Sequence, residues 1–353
     1  MIVVGDLGLS IGVIGVGRWG QNHVRVLNRL KNEGFCDKLV LCDINEERVK
    51  RLYKKYDVDK YYTNTDEMLS RENLDGVFIA IPTIYHYNVV IKALDYCNVF
   101  VEKPISAKLD EALKIVKKTE KLDRVVAVGH IERFNPIVSE LKKYFEKILD
   151  SDKIIYIFGQ RIGPGPFGGR VDNLGVAHDL MIHDVDIIKY LTNSLPNTVQ
   201  AFTFKNKSFP YEVDINSFYV YESFTVNLRA SWRCDSNLKK RYLFIQTYKS
   251  VIEVDYILQT IVIERGLYKH VSTGSYIDIL SAYSSKDRVE RRLLSGFQSE
   301  PLYLEDKHFL ECIINNRKPI VDAVEGYIAL KCIVKALESS LKNKPITIEW
   351  NEI

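Results

Sequence analysis

Two short stretches carry residue types that can move a proton, and a third carries types that can hold an anion. Asp179-Leu180-Met181-Ile182-His183 sets a carboxylate four residues before an imidazole, inside a run with helical spacing. On a helix, positions i and i+4 stack on one face. A carboxylate beside an imidazole raises its basicity and fixes its orientation, which suits a general base for a hydroxyl proton. Asp186, three residues after His183, lies on the same side and could orient the ring instead. Glu102-Lys103-Pro104 closes a short apolar run. At the carboxyl end of a parallel strand, a lysine can be partly desolvated and can stabilise a developing alkoxide. Arg161 and Arg170 bracket a Gly/Pro-rich stretch that reads as an irregular loop. Two arginines so placed could grip a diphosphate in bidentate fashion. Each feature has a plainer alternative: a helix-surface ion pair, a charged strand end, a solvated connection.

Gly15-Val16-Gly17-Arg18-Trp19-Gly20 matches G-x-G-x-x-G between an apolar run at 11–16 and an amphipathic stretch at 19–32. Gly15 would allow the tight turn, Gly17 the approach of a pyrophosphate, and Gly20 close packing of helix on strand. Asp43 ends the next apolar run, where an acid can grip a ribose 2′-hydroxyl. No arginine follows Asp43 directly, which favours NAD; NADP stays open because an arginine from elsewhere could reach a 2′-phosphate. No metal is expected. His178 and His183 are five apart, about 140° around an α-helix, whereas the H-E-x-x-H arrangement needs four. Gly8-Leu9-Ser10-Ile11-Gly12 matches G-x-S-x-G but precedes the first strand, so Ser10 is not placed as a nucleophile.

The elements that must position these groups fall into two patterns. Strands at 11–16, 39–42, 76–81, 99–101 and 125–129 alternate with helices at 19–32, 46–56, 85–97 and 108–122. Alternation at this spacing implies right-handed βαβ units and a parallel sheet. After a helix at 133–149, strands at 154–160, 198–205, 214–221, 224–232, 242–248 and 251–256 follow with few helices between them. Many alternate apolar and polar residues, as an antiparallel sheet with one exposed face would. Helices are expected at 174–191, 303–315 and 322–342. The expected fold class is α/β: an N-terminal Rossmann doubly wound parallel sheet over 1–130, then a C-terminal α/β domain with an open, mostly antiparallel sheet over 131–353.

The composition agrees. A chain of 353 residues is long enough for two domains. Its 49 basic and 46 acidic side chains leave a formal charge of +3, too balanced to indicate nucleic-acid binding. Six cysteines form no C-x-x-C pair, which fits a reducing cytoplasm rather than a disulfide framework. No apolar run approaches the roughly 18 residues of a membrane span.

In order along the chain, the glycine motif, Ala80-Ile81-Pro82-Thr83 with His86, Glu102-Lys103-Pro104 and Asp179-x-x-x-His183 resemble the glucose–fructose oxidoreductase / inositol dehydrogenase (Gfo/Idh/MocA) family. The resemblance covers nearly the whole chain. It implies oxidation of a sugar or cyclitol hydroxyl, or the reverse reduction, with NAD(P). It implies catalytic roles for Lys103, Asp179 and His183. Arg18, Trp19, Ile81, Pro82, Thr83, His86, Glu102 and Lys103 would join Gly15, Gly17, Gly20 and Asp43 around the coenzyme. Members commonly associate as dimers or tetramers through the C-terminal sheet. Within the family, Gly129-His130-Ile131-Glu132-Arg133-Phe134-Asn135-Pro136 and the 161–170 stretch are similar to nucleotide-sugar 3-dehydrogenases acting on UDP-N-acetylglucosamine or its uronic acid. That similarity implies Arg133, Asn135, Arg161 and Arg170 as substrate contacts beside Lys103, Asp179 and His183. An inositol or free-aldose dehydrogenase, and a non-catalytic NAD- or sugar-sensing regulator, are the alternatives.

Overall fold

Apolar runs punctuated by glycine and proline become six strands: β1 (Leu9–Ile14), β2 (Cys36–Cys42), β3 (Lys60–Tyr62), β4 (Gly76–Ile79), β5 (Asn98–Glu102) and β6 (Val126–Gly129). The structure, a computed structural model, describes residues 8–148, 152–165, 174–207, 209–235, 238–266, 275–277, 286–292 and 300–353. The strand order is β3-β2-β1-β4-β5-β6, and every neighbouring pair is parallel. This is the doubly wound order, whose crevice opens beyond the carboxyl ends at the β1/β4 switch point. The connecting helices are α1 (Gly20–Asn32), α2 (Glu46–Lys55), α3 (Thr65–Arg71), α4 (His86–Ala93) and α5 (Leu109–Thr119). Asn45 caps α2 by accepting from the Arg48 amide at 2.9 Å, the side chain expected to do so. The sequence reading did not place β3 and α3. They span three and seven residues, too few for a period to show.

The chain then passes through a 3₁₀ turn (Ile131–Phe134) and α6 (Pro136–Ile148) into a second sheet. Its strands are β7 (Ile154–Ile162), β8 (Thr198–Lys205), β9 (Glu212–Val220), β10 (Thr225–Ser231), β11 (Lys240–Thr247), β12 (Ser250–Asp255), β13 (Thr260–Gly266), β14 (Lys286–Arg292) and β15 (Ile346–Thr347). The order is β14-β13-β12-β11-β7-β10-β9-β8-β15. β7 and β10 pair in parallel; the other neighbours are antiparallel. The architecture is α/β, with a mixed, mostly antiparallel second sheet. Helix α7 (Ile182–Thr192) lies on its inner face.

The last two helices belong to both layers. In α8 (Pro301–Ile314), Phe309 and Leu310 pack with Ile11, Val13, Phe78 and Phe100 of the first sheet. A Cβ on Gly76 would lie 2.8 Å from the Ile313 side chain, so the glycine makes room for α8. The helix expected at 303–315 thus packs on the first sheet, which its apolar stripe could not tell, since a stripe says that a helix is covered but not by which sheet. In α9 (Ala323–Lys342), Tyr327 and Leu330 join the first core, while Ile333 and Ala336 join the second. Full burial of one such aliphatic side chain is worth about 1.5–3 kcal/mol, so α9 couples the two cores strongly. No helix among the described residues is long and apolar enough to cross a membrane.

Candidate active site

The glycine motif forms the turn that its spacing requires. Gly15 has φ +84°, and its N–H donates to Cys42 O at 2.8 Å. A Cβ on Gly20 would sit 1.9 Å from Gly15 O, so only glycine lets α1 approach. Gly17 has open space where its Cβ would be, with nothing nearer than the Arg48 guanidinium at 3.9 Å. No side chain caps α1, which leaves its first N–H groups for an anion. Asp43 is buried and ties this turn to β2. Its carboxylate accepts from the Val16 N–H at 2.8 Å and the Asn45 N–H at 2.9 Å. Arg48 Nη1 lies 3.2 Å from both Asp43 oxygens. Sequence reading missed Arg48 because it sought an arginine directly after the acid. The helical turn of α2 returns one from five residues on. Ile44, beside Asp43, is 92% exposed.

At the end of β5, Glu102 accepts from the Trp19 indole at 2.5 Å, and His23 Nε2 lies 3.0 Å from the same oxygen. His23 Nδ1 lies 2.8 Å from Asp306 on α8. Burial alone would lower the His23 pKa, but Asp306 and then Glu102 outweigh it and raise the ring from 6.5 to about 10. The stabilisation this shift represents is full below pH 6.5, where the ring is charged in folded and unfolded chains alike. It is lost as pH rises through about 10. Thermal melts of wild type and His23→Asn should therefore differ most below pH 6.5 and converge towards pH 10. A gap that does not narrow would refute the charged brace.

Lys103, the next residue, crosses the crevice. Its ammonium donates to the Asp179 carbonyl at 2.8 Å and carboxylate at 3.1 Å, 76 positions along the chain. The Lys103 side chain is 17% exposed and that of Asp179 is 45% exposed, so the pair borders solvent. Asp179 does not sit on a plain α-helix. A π-helical turn (Ala177–Met181) precedes α7, with the Ile182 N–H donating to Ala177 O. Such a turn closes i→i+5 bonds, so His178 and His183 lie closer in angle than α-helical spacing implied. The Lys103 charge acts on both rings. Burial first, then Lys103, pushes His178 down to about 4. Burial, then Lys103, Arg161, His130 and Arg241, holds His183 well below its usual range. Both rings are neutral at pH 7, and a neutral His183 can accept a proton. Glu212 on β9 anchors the turn by accepting from the Ala177 N–H at 3.1 Å. It left no sequence signal, because a strand partner 35 positions away has no local pattern.

The remaining predicted residues divide. His86 is buried between the carbonyls of Pro104 and Ile81, at 2.8 and 2.9 Å, and so ties the ends of β4 and β5 together from within. Thr83 is buried and Pro82 exposed at the same edge. Arg133 is 5% exposed. It forms a bidentate pair with Asp186 at 2.7–3.0 Å, and also binds Glu325 and the Ile320 carbonyl. Asn135 bonds Glu132 and Gln259, both at 2.9 Å. Arg161 is not in a loop: β7 runs through it, and it is 1% exposed. Its Nε donates to Asp184 at 2.7 Å and its Nη1 to Glu132 at 2.6 Å. Arg133 and Arg161 are thus committed to buried carboxylates rather than presented to a ligand. The spacing could not reveal this, because the carboxylates come from distant segments. Arg170 lies outside the described residues. Among the described residues no three His, Cys, Asp or Glu side chains are grouped to hold a metal ion.

Residues 9–130 match the GFO_IDH_MocA oxidoreductase family, NAD-binding Rossmann fold. Residues 170–348 match the family's C-terminal alpha/beta domain. The chain is 24% identical to the scyllo-inositol 2-dehydrogenase (NAD(+)) of Bacillus subtilis over 341 residues, 96% of this chain and 95% of that one. It is 28% identical to the UDP-N-acetylglucosamine 3-dehydrogenase of Acidithiobacillus ferrooxidans over 194 residues, 55% of this chain and 57% of that one. Among solved structures, UDP-N-acetylglucosamine 3-dehydrogenase GnnA from A. ferrooxidans superposes with a TM-score of 0.79 at 23% identity, covering 96% of this chain and 100% of that one. Levoglucosan dehydrogenase in complex with NADH and levoglucosan gives 0.83 at 15%, covering 98% and 100%.

Proposed function

The chain belongs to the GFO/IDH/MocA oxidoreductase family, and on that premise we propose that it is an NAD(P)-dependent dehydrogenase of a secondary hydroxyl on a sugar-like ring. The first substrate reading is C3 of a nucleotide sugar such as UDP-N-acetylglucosamine. One observation carries the general reading: Lys103 and Asp179 pair at 3.1 Å, next to a neutral His183, beyond the carboxyl edge of the sheet that bears the glycine turn.

The uncapped α1 N-terminus and the open approach at Gly17 fit a pyrophosphate, and Asp43 with Arg48 would hold the adenosine ribose. A bound nicotinamide supplies the hydride acceptor, or the donor in reduction. The chain supplies the rest. Neutral His183 takes the hydroxyl proton. Lys103, held by Asp179, donates to the oxygen as it becomes an alkoxide, a charge best stabilised by a preset donor in a partly desolvated cleft. Ile81, Pro82, Thr83 and Glu102 shape the nicotinamide side.

A second substrate reading, a free cyclitol or aldose, is favoured by the burial of Arg133 and Arg161, which removes two arginines from the diphosphate. The half-exposed Arg241 and Arg170 remain for the nucleotide reading. Self-association through the second sheet is supported by its outer face, where Phe202, Phe204 and Phe218 are 41–61% exposed.

The test is near-ultraviolet absorbance of reduced nicotinamide, with NAD or NADP, UDP-sugars, free sugars and inositols, and a trap for the keto product. A rise with UDP-N-acetylglucosamine alone supports the first reading and names the coenzyme. A rise with inositols or aldoses alone supports the second. Bound NADH with no turnover on any substrate would replace both by a sensing role.

A further inference from the structure

Arg241 stands where the second sheet meets the crevice. It lies on β11, directly across from Arg161 of β7 in the antiparallel register. Side chains opposite each other in such a pair share a face, so Arg241 continues the row of Leu243 and Ile245, which are buried in the core with α7. Arg161 reaches Asp184, in the first turn of α7 and next to His183, at 2.7 Å. Arg241 reaches Glu132, in the turn that follows β6, at 3.1 Å. Its guanidinium is thereby placed between the carboxyl edge of the first sheet and the start of α7. Its charge is among those that act on the His183 ring.

The other cations here are spent, and Arg241 is not. Glu132 Oε1 takes Arg161 Nη1 at 2.6 Å as well as Arg241 Nη1, and Glu132 Oε2 takes the Asn135 amide at 2.9 Å. Arg161 and Arg133 are each buried against two carboxylates. Lys103 is taken by Asp179. A guanidinium carries five N–H donors in a planar fork. Arg241 commits one nitrogen to a shared oxygen; among the described residues its Nε and Nη2 meet no acceptor. The side chain is half-exposed, so a ligand can reach it. A fork held at one corner and open at the others matches a carboxylate or a phosphate, which arginine binds through two parallel N–H bonds. A neutral sugar would leave those donors to water.

We propose that Arg241 is a specificity-determining residue: it selects substrates that carry an oxyanion on the sugar, a carboxylate or a phosphate ester, over neutral sugars and cyclitols. The inference rests on the dehydrogenase reading for the site. It moves the anion grip from Arg133 and Arg161 to β11, and it admits a free sugar acid beside the nucleotide sugar.

Calorimetric titration of the NADH-loaded protein with matched pairs tests it. Glucuronate against glucose probes a carboxylate; UDP-N-acetylglucosamine against N-acetylglucosamine probes a phosphate. In wild type the anionic member of at least one pair should bind about tenfold or more tighter than its neutral partner. The pair that shows this names the source of the oxyanion. Arg241→Gln should lose about 10–100-fold for the anionic member, the span for a hydrogen bond to a charged group. Its affinity for the neutral member should change less than about twofold. Arg241→Lys keeps the charge without the fork and should fall between the two; it also serves if Arg241→Gln does not fold, which NADH affinity and a thermal melt report. Equal binding of both members in wild type, or a preference that survives in Arg241→Gln, would overturn the proposal. A preference that depends on Arg241, with no turnover of any of the four by NAD or NADP, would uphold it and count against the dehydrogenase reading alone.

Discussion

Lys103→Met should lower kcat by about 10²–10⁴-fold, the span for removing a positioned proton-transfer or charge-stabilising group, while NADH binding stays within about twofold. Met keeps most of the apolar stem and loses the ammonium. Asp179, the partner left behind, is 45% exposed, so solvent takes over its hydration and the fold loses little. Lys103 also helps hold His178 and His183 below their usual range. Removing it should therefore raise both pKa values and carry the acid limb of any residual activity to higher pH. Steady-state kinetics across pH, with a coenzyme titration by fluorescence, checks both parts. Full activity in the variant would remove Lys103 from the mechanism. Lost coenzyme binding would move it to the coenzyme site.

Arg161→Met should act on stability instead, with a loss of about 3–5 kcal/mol, the usual cost of stranding the partners of a buried ion pair. The guanidinium is 1% exposed and joins Asp184 to Glu132, both buried. Without it Asp184 loses its charged partner, and Glu132 keeps Arg241 at 3.1 Å and the Asn135 amide at 2.9 Å. The melting temperature should fall by on the order of 10 °C. Arg241→Met is the control. That side chain is 42% exposed, and without it buried Glu132 still has Arg161 at 2.6 Å, so the loss should be no more than about 1 kcal/mol. Differential scanning calorimetry of both variants checks the contrast. An Arg161→Met protein that melts like wild type but binds UDP-sugars poorly would return this arginine to the substrate.

The local part of this molecule could be read in advance. The alternation of apolar runs with amphipathic stretches announced the parallel sheet. Gly15 and Gly20 announced the turn, because their spacing answers to backbone geometry that no other residue satisfies. Asn45 announced a helix start through a bond three residues long. Lys103 was singled out by its place at a strand end, and Asp179 and His183 by a four-residue spacing on an expected helix; their roles in catalysis belong to the proposal. Each inference needed information from within about one element.

Other assignments failed for one shared reason. Arg161 looked like a loop arginine because a Gly/Pro-rich stretch follows it, yet β7 continues through it and buries it against carboxylates 23 and 29 positions away. Arg133 likewise meets Asp186 and Glu325. The stacking of Asp179 on His183 assumed 3.6 residues per turn, and a π turn intervenes there.

The sequence by itself determined the order of elements, the glycine turn and the residue types available for chemistry, since these depend on propensity, period and local hydrogen bonds. Tertiary structure decided which charges face the crevice and which are spent within it. It brought Lys103 to Asp179, set Glu212 under the π turn, and ran His23 between Glu102 and Asp306. It also laid α8 on the first sheet. The physical reason is that a buried charge takes whatever opposite charge the packing delivers, and packing joins segments that local patterns treat as independent.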